Sequence, residues 1–184
     1  MDNEDKKTIE LFLTKIEELL SCSLLKSKHQ ISFKLNITGN TGLATTTTPD
    51  EEQLRSFLLV FRNFYSPREK INFPKISEIL ERYITNTQIK DNIRKTREVY
   101  QNTLDRSPMS LIENEIAVPP KEILRRWMYG FYHHTDEEKR QKIEAWGFAV
   151  GLTKTQFIST LFDLTRCIVW LGNVAKQYIE GKIT

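Results

Sequence analysis

The C-terminal stretch of the chain carries one continuous pattern of apolar side chains. Between residues 153 and 183 they recur at alternating steps of four and three, at Phe157, Leu161, Leu164, Ile168, Leu171, Ala175 and Tyr178. That spacing places them along one face of an α-helix. A second row widens the face and consists of Ile158, Phe162, Val169 and Ala175. Because a helix with so broad an apolar surface must pack on more than one side, we expect a long C-terminal core helix.

Helical patterns also occupy much of the rest of the chain. Residues 3–26 predict a first helix with one apolar face, and a Thr-Pro-Asp-Glu start at residue 48 predicts another helix over residues 50–65. Residues 86–105 predict the most polar helix. Residues 30–48 alternate apolar and polar side chains around a Gly-Asn-Thr-Gly turn, which predicts a β-hairpin, while residues 109–118 fit a loop or a short second β element.

The patterns together predict a mainly α fold. We expect one domain spanning residues 1–184, a helical bundle of about seven helices with one small β-hairpin near the N-terminus. Low glycine and proline counts, 7 and 6, favour helices over a turn-rich β-sandwich. The first and last helices should pack together, with the helix at 50–65 as the third member of the core.

Composition restricts the compartment and the partners. The charged start of the chain precedes no apolar signal segment, and no apolar run is long enough to span a membrane, so we expect a cytoplasmic protein with no membrane association. The net charge of +3 allows RNA as a partner without requiring it. The two cysteines, Cys22 and Cys167, lie in apolar helical patterns and are expected to be buried free thiols rather than catalytic groups.

One segment contains residue types that commonly act in catalysis and phosphate binding. Arg126 and His133 are seven residues apart, so on a helix both project from the same face. The histidine suits general acid–base catalysis on a ribose 2′-hydroxyl, and the arginine suits phosphate binding. The adjacent Arg125 and His134 are candidate binding residues.

The spacing of this arginine and histidine resembles the motif of the HEPN (higher eukaryote and prokaryote nucleotide-binding) superfamily. The resemblance covers Arg126-x6-His133 and a helical context. It implies a metal-independent ribonuclease of a toxin or defence system, in which two motifs join across a dimer. By this resemblance Arg126 binds phosphate and His133 is the catalytic base.

Other interpretations of the same residues remain open. The aromatic residues around the arginine and the histidine also fit a helix end that packs into the core, with His133 and His134 in its last turn. No second histidine lies at the spacing of a helical metal site, so we expect neither a metal nor another cofactor. The basic side chains of the helix at 86–105 are Lys90, Arg94, Lys95 and Arg97. They are compatible with a phosphate-binding groove but are more typical of a solvated helix face.

Two classes of function follow. The preferred one is a protein-interaction module without catalytic activity that binds a protein partner or a second copy of itself. In that case Trp170, which lies between the two apolar rows of the last helix, would be an interface anchor if it is exposed. The alternative is the metal-independent ribonuclease acting through Arg126 and His133.

Overall fold

The structure is a computed structural model that describes residues 1–22, 51–105 and 154–184. Five helices form in these ranges: α1 (Asn3–Leu20), α2 (Glu51–Tyr65), α3 (Phe73–Tyr83), α4 (Thr87–Asp105) and α5 (Lys154–Ile179). None of the described residues forms a strand. The mainly α prediction is therefore confirmed for this part of the chain. The predicted hairpin at 30–48 and the predicted helix that would carry Arg126 and His133 lie outside the described residues.

Short polar side chains define where three of the helices begin. Asp2, Asn72 and Asn86 precede α1, α3 and α4, and each accepts a hydrogen bond from the backbone N–H three residues later, at 2.8, 3.0 and 3.1 Å. Such caps satisfy N–H groups that have no partner within the helix. Pro74 then lies in the first turn of α3, where its missing N–H has no cost. Local sequence therefore determines these three helix starts.

Helix α5 is buried around most of its circumference. Its first apolar row is almost fully buried at Leu161, Leu164, Ile168, Leu171 and Ala175, and so is its second row at Phe162 and Val169. Even Thr165 is buried, and its hydroxyl donates to the Leu161 carbonyl at 2.7 Å. Helices α1, α3 and α4 surround α5. The prediction of a core helix packed on more than one side is confirmed.

The first and last helices pack together as predicted. Their backbones come close at Gly172, where an added Cβ would lie 2.3 Å from Cδ1 of Ile16. Helix α2 joins them through an edge-to-face contact between Phe12 and Phe64, with ring centroids 5.8 Å apart. The predicted three-helix core of α1, α2 and α5 is therefore present.

Helix α4 is a fourth core member, although it is the most polar helix by sequence. It packs along α5 and stacks Tyr100 on Phe73 of α3, with ring centroids 4.2 Å apart. The Tyr100 hydroxyl is buried and donates to the carbonyl of Phe64 at 2.8 Å, which ties α4 to α2. One buried row of α4 is therefore sufficient to place the helix in the core.

Candidate functional site

The predicted catalytic residues lie outside the described residues. Arg126 and His133, with their neighbours Arg125 and His134, fall in the range 106–153. Their arrangement therefore stays a prediction from sequence.

Trp170 does lie in the described part, and its side chain is only 1% exposed. An interface anchor must be reachable by a partner, so the condition for the predicted anchor role is not met. The physical reason is the position of α4, which packs along α5 and contributes neighbours of Trp170 such as Asn92 and Val99. The tryptophan instead contributes to the core.

Two of the four basic side chains of α4, Arg94 and Arg97, are engaged within the protein. Arg94 Nε donates to one carboxylate oxygen of Glu81 at 2.8 Å, and Arg97 bonds the other carboxylate oxygen. Arg97 Nε also donates to the Ser77 hydroxyl at 2.8 Å. Partial burial raises the pKa of Glu81, but the hydrogen bonds from the two arginines outweigh it, so the pKa lies below its ordinary value. These two arginines link α3 to α4. They are therefore not available as a row of phosphate-binding groups.

A broad surface groove of about 730 Å³ lies over α3 between α1 and α4. Its α1 side carries the carboxylates of Glu4 and Asp5, and its α4 side carries Lys90 and Arg94. The groove is therefore lined by charges of both signs, and this lining selects neither an anion nor a cation. In the ranges that the structure covers, no three His, Cys, Asp or Glu side chains are grouped so as to hold a metal ion.

A smaller depression has a different character. It lies at the end of the helical bundle, has a volume of about 370 Å³, and we call it the terminal hollow. Its lining is mainly aromatic and aliphatic and comprises Met1, Lys6, Tyr83, Thr85, Tyr178, Ile179, Ile183 and Thr184. Concave apolar sites with a few polar groups at the edge are the usual form of binding sites. Among the described residues, the terminal hollow fits that form best.

The geometry of the C-terminal tail, residues 181–184, builds one side of the terminal hollow. Helix α5 ends in a Schellman motif, in which Lys182 N–H donates to the Gln177 carbonyl at 2.9 Å and Gly181 N–H donates to the Tyr178 carbonyl at 3.1 Å. Gly181 has φ 73°, a left-handed conformation that suits glycine. This turn directs the tail towards the connection between α3 and α4.

The tail is held there by three hydrogen bonds to a single oxygen atom. The carbonyl oxygen of Thr184 accepts from the backbone N–H groups of Thr85 and Asn86, both at 2.9 Å. It also accepts from the Thr85 hydroxyl at 2.8 Å. Two successive N–H groups that converge in this way form a small cradle for an electronegative atom. The terminal hollow thus has a built acceptor-binding position at its edge.

The opposite side is fixed by Tyr83. Its hydroxyl donates to Asp5 at 2.6 Å and to the Asp2 carboxylate at 3.3 Å, which ties the start of α1 to the end of α3. The hydrogen bond to Asp5 is the main reason why the pKa of Tyr83 is raised. Tyr83 therefore stays a neutral donor, and it provides an aromatic wall rather than a base.

The cysteines of the described residues are poor nucleophiles. Both are free thiols. Burial raises the pKa of Cys167 to about 12, and burial also raises the pKa of the half-buried Cys22. Because the thiolate is the reactive form, neither thiol is activated at neutral pH. Cys167 has the predicted burial, whereas Cys22 is only half-buried.

Comparison with known proteins identifies no relative of this chain. No protein-family model matches the chain, and no significant match exists among curated proteins or solved structures. Of the helices that the structure describes, none has the length and apolar character needed to cross a membrane.

Sequence reasoning missed the terminal hollow because it is assembled from three separate stretches of the chain. The signal that was available is Gly181 directly after the apolar helix, followed by Ile183. A glycine at that position predicts a helix end and a change of direction. It does not indicate which part of the chain the tail will meet.

Proposed function

We propose that this chain is a helical protein-interaction module without catalytic activity, and that its docking site is the terminal hollow. The observation that carries the proposal is the lining of the hollow. Two tyrosines, a methionine and two isoleucines surround one concave surface at the end of a bundle. The partner is a protein that inserts an apolar side chain there.

The physical basis is the removal of apolar surface from water. Burial of apolar area contributes about 25 cal/mol per Å², so a concave apolar site favours a complementary side chain over solvent. Aromatic rings and methionine are enriched at the energetic centres of protein interfaces. The hollow has this composition at Met1, Tyr83 and Tyr178.

The shifted carboxyl and thiol groups of the described residues are not tuned for acid–base catalysis. Folding lowers the pKa values of Asp2, Glu81 and Glu180, whose carboxylates accept hydrogen bonds, and it raises those of Cys22 and Cys167 through burial. Each shift favours the protonation state that the group already has at neutral pH. A general acid or base needs the opposite kind of shift, towards a pKa near the working pH.

The proposal is tested with a pair of matched surface variants. Ile179 lines the hollow and is 36% exposed, whereas Leu59 lies on α2, is 67% exposed and is not part of the hollow. A photo-crosslinking residue at each position, followed by purification of any captured protein, identifies the partner or a second copy of the chain. The affinity of that protein is then measured for Ile179→Asp and Leu59→Asp.

We expect Ile179→Asp to weaken binding by at least tenfold, because a charged carboxylate is costly to bury in an apolar site. Leu59→Asp should bind like the unmodified chain. Equal affinities for the Ile179→Asp variant and the unmodified chain, with both proteins folded, would refute docking at the terminal hollow.

The ribonuclease remains the competing candidate, supported by the spacing of Arg126 and His133 in the sequence. Its test is incubation of the full chain with mixed cellular RNA in EDTA, beside Arg126→Ala and His133→Ala. Cleavage that both variants lose would establish a metal-independent nuclease and would overturn the proposal of a non-catalytic module. Intact RNA in the presence of folded protein would eliminate the nuclease.

A further inference from the structure

The tail that borders the terminal hollow makes the contacts of a bound peptide. Ile183 places an apolar side chain at the hollow, and the next residue, Thr184, places its carbonyl oxygen in the cradle formed by Thr85 and Asn86. Recognition of extended peptides commonly combines these two elements, in which backbone hydrogen bonds contribute affinity and a pocket for one side chain provides specificity.

Beyond these hydrogen bonds, the side chains of the tail are largely open to solvent. Ile183 is only half-buried, and Lys182 and Thr184 are exposed. At the hinge, Gly181 has open space around it, since an added Cβ would meet no atom within 4 Å. The tail leaves the hollow by giving up the hydrogen bonds from Thr85 and Asn86 and the half-buried packing of Ile183.

We propose that the tail is a built-in competitor for the docking site. In the free chain, residues 183 and 184 occupy a site that fits a partner's extended segment with an apolar residue followed by a free carbonyl or carboxylate oxygen. The partner displaces the tail, its apolar side chain takes the place of Ile183 at the edge of the terminal hollow, and its oxygen takes the three donors of Thr85 and Asn86. This inference rests on the proposed function, because it specifies the partner chemistry of the same hollow.

The covalent link makes the tail an effective competitor in spite of its few contacts. A segment tethered by a short linker has an effective local concentration in the millimolar range. A free peptide must overcome that competition, so its apparent affinity falls by the fraction of chains in which the tail is bound. Loosening the tail should therefore strengthen the binding of a free peptide, whereas a structural role alone would predict no such gain.

The test uses a fluorescent synthetic peptide with the sequence of residues 180–184, titrated into the full chain. The variant Ile183→Asp loosens the tail, since a carboxylate is disfavoured at the apolar hollow. We expect this variant to bind the peptide about tenfold more tightly than the unmodified chain does. A control peptide with aspartate in place of its isoleucine should bind neither protein.

Two further variants exclude indirect effects. Ile183→Ala, a milder change, should give a smaller gain in the same direction. Adding Thr85→Val to Ile183→Asp removes the hydroxyl donor and should weaken the gained binding several-fold, because one of three hydrogen bonds is lost. Thermal unfolding of each variant verifies that it is folded.

The outcomes distinguish the competing tail from docking of a partner at the terminal hollow. Equal peptide affinities for the folded Ile183→Asp variant and the unmodified chain would overturn the competing tail. If Ile179→Asp still abolished partner binding in that case, docking at the terminal hollow would stand alone. If the peptide bound as expected but Ile179→Asp left partner binding intact, the site would bind peptide while the partner would dock elsewhere.

Discussion

The close approach of α1 and α5 at Gly172 leads to a quantitative prediction for the variant Gly172→Ala. The added Cβ would lie 2.3 Å from Ile16 Cδ1 and 3.9 Å from Leu13 Cδ2. Carbon atoms in favourable contact are about 3.5–4.0 Å apart. The alanine is therefore compatible with Leu13 but forces the end of Ile16 to move by more than about 1 Å.

Two opposing effects determine the magnitude. Alanine is favoured over glycine in a helix interior by about 1 kcal/mol, whereas overpacking a close-packed core costs about 1–3 kcal/mol. Both residues are buried, so we expect Gly172→Ala to lower the free energy of unfolding by about 0–2 kcal/mol. The variant Ile16→Val removes the clashing Cδ1 atom and by itself costs about 0.5–1.5 kcal/mol.

The decisive quantity is the coupling between the two changes. In the double variant the alanine methyl group occupies space that the missing Cδ1 has vacated, so the double variant should be more stable than the sum of the single effects by about 1–2 kcal/mol. Urea unfolding of the four proteins gives this coupling free energy directly. In thermal unfolding, each kcal/mol corresponds to about 2–4 °C in Tm for a chain of this size.

Gly181 provides the matched control. Gly181→Ala introduces strain at φ 73°, but its Cβ meets no atom within 4 Å. Its effect should therefore add to that of Ile16→Val within about 0.5 kcal/mol. If Gly172→Ala and Ile16→Val were also additive, the close packing of α1 on α5 at this position would be refuted.

Three further predictions address the other contacts that hold the helices. Folding lowers the pKa of Glu81, so the stability that its carboxylate contributes should be complete above the ordinary pKa of 4.5 and be lost as the pH falls through the lower folded value. Urea unfolding from pH 7 to pH 2 should therefore show a weaker loss of stability in acid for Glu81→Gln than for the unmodified chain. Parallel curves of stability against pH for the two proteins would contradict this. Tyr100→Phe leaves the buried carbonyl of Phe64 without its donor and should lower the free energy of unfolding by about 1–3 kcal/mol at constant m-value; a loss below about 0.5 kcal/mol would count against that bond. A maleimide reagent at pH 8 should label Cys22 well before Cys167, because Cys167 is buried and its pKa is about 12. Mass spectrometry gives the order of labelling. Labelling of Cys167 before Cys22 would be inconsistent with the packing of α5.

The helices themselves were predictable because helix formation leaves a local signature. The apolar rows of the last helix depend on residues within a few positions of each other. The breadth of the apolar surface also correctly indicated that this helix is surrounded by others. These features can be recognised without knowing which helices pack around α5.

The roles of individual side chains were less predictable. A sequence pattern shows that Trp170 lies between two apolar rows, but the packing of α4 determines that its ring is buried. Likewise, Arg94 and Arg97 suit a phosphate-binding face until Glu81, contributed by another helix, engages both of them. Exposure and ion pairing depend on neighbours that are distant in sequence.

The candidate site shows the same difference between local features and features that depend on the tertiary structure. The sequence by itself determined that the C-terminal stretch forms a long apolar core helix, since periodicity is a local property. It did not show where the tail at residues 181–184 would lie. Only the tertiary structure decided that this tail meets Thr85 and Asn86 and that Tyr83 and Tyr178 enclose a hollow between them. The physical reason is that apolar burial is non-directional: it requires that apolar faces be covered but does not specify by which part of the chain.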